Sequence, residues 1–129
     1  MIPAVAAEKA TARYTRRVLN VGVAYGGREE IIDAVKAHLT EAAEAGSSLA
    51  TATDSISIEA LDRHMYTTHI PDPDLILRTS VEVRLSGFLL WQSAHSEYYF
   101  CDTNWPAFRK LDFLRALRAY HQRQRRFGR

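Results

Sequence analysis

Apolar and polar positions change period several times along this chain, and each change predicts an element. Residues 18–24, VLNVGVA, form a short apolar run that stops at Tyr25, Gly26 and Gly27. This is the pattern of a buried strand turning sharply into a helix. From Glu29 onward Ile32, Val35, Leu39 and Ala42 fall three and four apart, with acids at the start and Gly46 just past the end. A helix follows from that spacing. Residues 1–12 are alanine-rich and read as part of a further helix whose beginning is absent.

Residues 47–53 are small and polar, hence a loop, and Ser57 suits the N-cap of a short helix to about Tyr66. The segment HIPDPD carries two prolines and delivers the chain in extended form to LILRT, a second buried strand. Residues 84–93 can form a helix packed by Leu85, Phe88, Leu89 and Leu90, and SEYYFC then supplies a third strand closed by NWP. Phe113, Leu117 and Tyr120 stripe a last helix beginning near Leu111. Strands alternating with helices imply an α/β fold, a parallel sheet with flanking helices. Three strands leave edges and faces to cover, so the 129 residues read as one partial domain, the second part of a larger unit.

Composition adds limits rather than a function. With 47% apolar and 25% charged residues the chain is a globular protein, not a disordered tail. One cysteine, Cys101, cannot form an internal disulfide, and no signal core or bilayer-length apolar run is present. A cytoplasmic location is the expectation. Residues 109–129 hold eight Lys or Arg against one acid, Asp112. Such a basic end attracts phosphates, but without interleaved aromatics it reads better as a solvated helix face than as a nucleic-acid surface.

Ligands of parallel sheets bind beyond the carboxyl ends of the strands. Arg78, Thr79 and Ser80 lie there, and Arg84 and Ser86 follow at the opening of the next expected helix, where N–H groups and dipole favour an anion. Arginine's planar fork suits phosphate oxygens. A diphosphate site is one reading, and structural pairing of both arginines with Glu82 is the other; residues alone leave both open. Glu97 stands in the hydrophobic stretch HSEYYF and needs a partner, Mg2+ being one and exposure at a strand start the simpler alternative. The Tyr25 to Arg28 turn lacks the lysine and hydroxyl of a P-loop. His38, His64, His69, His95 and His121 show no zinc-motif spacing, so zinc is not expected, and Ser93, His95 and Asp102 lack a nucleophile elbow.

The run RTSVEVRLSGFLLWQSAHSEYYF, followed by NWPAFRKLDFLRAL and RRFG, resembles the cis-prenyltransferases, the undecaprenyl and decaprenyl diphosphate synthase family. LNVGVAYGGREEI and PDPDLILRTS join the match, which runs from about Leu19 to the end. The resemblance implies that Arg78, Arg84 and Ser86 hold the diphosphate of isopentenyl diphosphate and that Glu97 helps place Mg2+. It also implies that Arg126, Phe127 and Gly128, similar to the family's RxG ending, reach a diphosphate site, often that of a dimer partner. The implied reaction joins isopentenyl diphosphate to an allylic prenyl diphosphate with a new cis double bond. Implied partners are a second copy or a complementary chain, with peripheral membrane association through the product.

Val81 stands where the family reads glycine, and Ala24 where Asn is common before YGG. No Asp-Gly-Asn loop, the family's allylic and metal-binding motif, occurs in this sequence. The expectation is therefore a transferase incomplete as this chain alone, with a non-catalytic partner subunit as the alternative.

Overall fold

A computed structural model describes residues 3–80, 82–84 and 86–123. Helix α1 spans Pro3–Thr11, α2 Gly27–Glu44, α3 Leu49–Asp54, α4 Ile58–Asp62 and α5 Lys110–Gln122; strand β1 is Leu75–Thr79 and β2 Glu97–Cys101. The two strands pair in parallel, Leu75 opposite Glu97 and Thr79 opposite Cys101, so the expected α/β class with a parallel sheet holds.

Helix α2 is delimited by its glycines. Gly26 is its extended N-cap. At the other end Gly46 takes φ 73°, and the Ser47 and Gly46 amides return to the carbonyls of Ala42 and Ala43 at 3.0 and 2.9 Å. That pair of bonds is a Schellman motif, which explains why the helix stops at Glu44, with Ala45 as its cap and Gly46 beyond. The buried stripe of α2 is Gly27, Glu30, Ala34 and His38. Ile32, expected in the core, is 53% exposed, because the inward face carries two polar residues that an apolar count passes over. Ala34, Leu61 and Met65 make the core, packed by Ile31, Val35 and Trp91.

Three expectations are corrected. Residues 18–24 form no strand: Leu19 and Val23 are 86% and 83% exposed, and the described ladder consists of β1 and β2 alone. An apolar run becomes a parallel strand only where a neighbouring edge accepts its hydrogen bonds. The loop expected at residues 47–53 is largely α3, started by Ser48, whose hydroxyl accepts the Thr51 amide at 3.2 Å. Residues 84–93, expected as helix, form none where they are described, and residues 88–95 are a series of turns. Gly87 at φ 83° and Leu89 at φ 49° are left-handed, which interrupts a right-handed helix.

The remaining elements begin where their sequence signals place them, but α4 ends at Asp62, short of the expected Tyr66. Ser57 caps α4 by accepting the Ala60 amide at 3.1 Å. Asp112 accepts the Arg109 amide at 3.0 Å and closes the start of α5, whose Ala116 is fully buried. No helix among the described residues is long and apolar enough to cross a membrane.

Candidate anion site at the end of the first strand

Arg78 is the penultimate residue of β1, which places it near the carboxyl end of the sheet. Its Nη2 donates to Glu82 Oε2 at 2.8 Å, and Arg84 donates to both oxygens of the same carboxylate, Nη2 to Oε1 at 2.7 Å and Nε to Oε2 at 3.0 Å. Glu82 therefore clamps two arginines. Hydrogen bonding from Arg84, then its charge, hold the Glu82 carboxyl below its usual range. Of the two readings of these arginines, the pairing with Glu82 is realised in the geometry. It does not use up the donors: Arg78 Nη1 is buried and has no hydrogen-bond partner.

Arg78 and Glu82 line one cleft, and Arg84 stands beside it, joined through Glu82. Arg78, Thr79, Ser80, Glu82 and Ser86 border a cavity of about 430 Å³ whose apolar wall includes Phe88. Ser80 sits at φ 149°, a strained value for a serine, and its hydroxyl accepts the Glu82 amide at 3.3 Å, which turns the acid back toward the arginines. Ser86 also borders a second cavity of about 310 Å³, shared with Gly26, Gly27 and Arg28 at the start of α2. The Gly27 amide donates to the Gly87 carbonyl at 3.0 Å, so the loop carrying Ser86 is bonded to that helix. No helix starts among the described residues of the expected segment 84–93, and the helix end beside Ser86 is that of α2 instead. Two guanidiniums against one carboxylate, Arg78 and Glu82 in the cleft and Arg84 beside it, leave the surroundings of the cleft with a net positive charge, suited to a multiply charged anion.

Glu97 is not brought to this cluster. It opens β2 opposite Leu75, whereas Arg78 faces Phe100, three residues or about 10 Å along the ladder. Arg123 Nη1 donates to Glu97 Oε2 and to the Tyr98 carbonyl, both at 2.8 Å. Mg2+ takes one or two carboxylates with substrate phosphates and waters. A single carboxylate engaged by a guanidinium, far from Arg78, does not fit a Mg2+ ion shared with the arginines. Arg126 and Gly128, and Val81, lie outside the described residues.

A third arrangement escaped the sequence. Glu30 is fully buried, accepts the Tyr66 amide at 2.8 Å and Gln92 Nε2 at 3.0 Å on Oε1, and accepts the Tyr25 hydroxyl on Oε2. Burial first, then the hydrogen bond to Glu30, raises the Tyr25 phenol above its ordinary value. The network fixes the turn into α2, and with it Arg28 and the cavity beside Ser86.

A family model described as undecaprenyl diphosphate synthase matches residues 3–128, further toward the start than the segment from Leu19. An isoprenyl transferase of Thermus thermophilus is 57% identical over 122 residues, 95% of this chain and 46% of that protein. A crystal structure of a probable undecaprenyl diphosphate synthase from Campylobacter jejuni superposes with a TM-score of 0.75 at 31% identity, over 97% of this chain and 54% of that one. Lavandulyl diphosphate synthase from Lavandula x intermedia, crystallised with dimethylallyl diphosphate, superposes with a TM-score of 0.72 at 38% identity, over 83% of this chain and 44% of that one. The chain spans about half the length of the relatives it matches. With its residues matched almost from end to end, the chain belongs to the undecaprenyl diphosphate synthase family of prenyltransferases.

Proposed function

We propose that this chain provides the isopentenyl diphosphate half of a cis-prenyltransferase site, within one partial domain covering residues 1–129. The observation that carries the reading is the buried, unpartnered Nη1 of Arg78 in a cleft it shares with Ser86, with Arg84 held beside that cleft through Glu82. In this reading the two guanidiniums bind the diphosphate oxygens, Ser86 donates its hydroxyl, and Glu82 holds both arginines in place until the ligand arrives. Phe88 and the apolar cleft wall would face the isopentenyl carbons. Binding and alignment are what these residues offer the reaction; they supply no base and no nucleophile.

The second substrate, an allylic diphosphate, is supported by the dimethylallyl diphosphate bound in the Lavandula relative. Family membership brings a general dependence on a metal. Mg2+ would arrive with a diphosphate, and Glu97 would meet it only at a site separate from the arginines, after exchanging its ion pair with Arg123. Arg126 and Gly128 would reach the diphosphate of a partner chain, either a second copy or a complementary one. The expected setting is cytoplasmic, with contact to a membrane through a long prenyl product. The similar proteins carry enzyme names, which does not favour a non-catalytic partner subunit.

Titration calorimetry of isopentenyl diphosphate on the purified chain tests the site. Arg78→Ala and Arg84→Ala should each weaken binding at least tenfold, with circular dichroism unchanged. Affinity that survives both substitutions would place the diphosphate elsewhere. Incorporation of labelled isopentenyl diphosphate by this chain alone would refute the claim that the site is half complete.

A further inference from the structure

His38 and His64 are far apart in sequence, yet their rings meet at 5.8 Å between centroids and 63° between planes. With Glu41 they form a group whose ligand atoms all lie within 4.8 Å of one another. Helix α2 brings His38 and Glu41 to one side, since residues three apart share a helix face. The turn after α4 supplies His64. This group has no part in the arginine cleft.

The nitrogens are arranged in an unusual way. The Ser55 hydroxyl donates to the Ala52 carbonyl at 2.8 Å, so its oxygen accepts from His38 Nε2 at 2.9 Å. That bond puts the His38 proton on Nε2 and the free lone pair on Nδ1, which is buried without a partner. His64 Nε2 lies 3.1 Å from Glu41 Oε2 yet is buried and outside hydrogen-bond geometry. Two buried imidazole nitrogens without hydrogen bonds, beside a carboxylate, are costly as a purely structural arrangement. A cation removes the cost.

We propose that His38, Glu41 and His64 bind a divalent transition metal of the Zn2+ class. Two imidazoles and one carboxylate are a borderline donor set that suits such ions and not Mg2+, which prefers oxygen alone. Donors on a tetrahedral zinc ion are about 3.4 Å apart; His64 Nε2 and Glu41 Oε2 already stand 3.1 Å apart and all the ligand atoms lie within 4.8 Å, so closing the group requires a shift of roughly an ångström. The Ser55 hydroxyl is the positioning residue, fixing the His38 tautomer from the second layer. The fourth position opens to solvent past Glu41, whose side chain is 69% exposed. Bound there, the metal would tie α2 to the end of α4 and stabilise the fold irrespective of prenyl transfer.

Cobalt reports this directly. The untagged, metal-stripped chain is titrated with Co2+ and followed by the visible bands of the tetrahedral ion. One equivalent should bind, be displaced by Zn2+ and resist a large excess of Mg2+. His64→Gln, at a largely buried side chain of similar size, and Glu41→Gln, at an exposed one, should weaken binding at least tenfold while circular dichroism stays unchanged, and Ser55→Ala should weaken it about tenfold. Zn2+ should raise Tm of the wild type and not of His64→Gln. Absence of bands, or bands and Tm shifts that persist in both His64→Gln and Glu41→Gln, overturns the proposal by showing no site or a site elsewhere.

Discussion

The backbone amide of Gly27 donates to the carbonyl of Gly87 at 3.0 Å, across a contact so close that a β-carbon on Gly27 would lie 2.4 Å from that oxygen. The obstruction is backbone and cannot swing away. Gly27→Ala should therefore cost about 1–3 kcal/mol of stability, more than the roughly 0.5–1 kcal/mol that alanine gains over glycine inside a helix. Gly26→Ala is the control, since its β-carbon meets only the mobile carboxylate end of Glu29. Urea denaturation of both variants, paired with isopentenyl diphosphate titration, should show that only Gly27→Ala loses stability and affinity together.

Glu82 should impose a pH dependence of definite sign. Its carboxyl is held below its ordinary value of 4.5, chiefly by Arg84. A depressed folded value stabilises the native state above the unfolded value, and that contribution disappears as pH falls through the folded value. The difference in urea midpoint between the wild type and Glu82→Gln should be constant near neutrality and close in acid below 4.5. A difference that widens in acid would contradict the clamp.

Ala24 sits at φ 54°, a conformation that costs an alanine roughly 1 kcal/mol. Ala24→Gly should stabilise the chain by about that amount, and Ala24→Asn by less with the same sign. Thermal or urea unfolding decides it. The same geometry gives a physical reason for Asn at this point in the resembling sequences.

Tyr25→Phe removes the hydroxyl bonded to the buried Glu30 carboxylate and should cost about 1.5–3 kcal/mol. Because the phenol is raised in the folded state, its contribution is complete below the ordinary tyrosine value of 10.0 and is lost as pH rises through the folded one. Alkaline unfolding of the wild type should thus converge on that of Tyr25→Phe. Glu30→Ala should be the more damaging, about 2–4 kcal/mol, because it leaves Tyr66 and Gln92 donors unmatched as well.

Local signals were legible where one residue carries the decision. Gly46 ended α2, Ser57 began α4, and two short apolar runs beside prolines and aromatics became β1 and β2. Arg78 and Arg84 were legible from the rule that parallel strands present ligand groups at their carboxyl ends, and Glu82 was visible as their competing partner. What depends on distant partners was not. Residues 18–24 have strand composition but no ladder, and the six residues of α3, half of them Thr or Asp, hold a helix because Ser48 caps it and α2 receives it. Glu30 and Gln92 meet across 62 residues, and His38 and His64 share no motif spacing. Polar groups paired through space leave no periodic trace.

The Glu30 carboxylate gives the chain a built-in exchange probe. The Tyr66 amide donates to that side chain and not to a carbonyl of its own segment, so its proton is protected only while α2, the 66–67 turn and Gln92 stay docked together. Fraying of the turn around Tyr66 alone would expose it, yet fraying is opposed by a partner anchored in the core. Deuterium uptake at this single position should therefore follow the joint opening of all three segments, and it would read the strength of their coupling without any substitution.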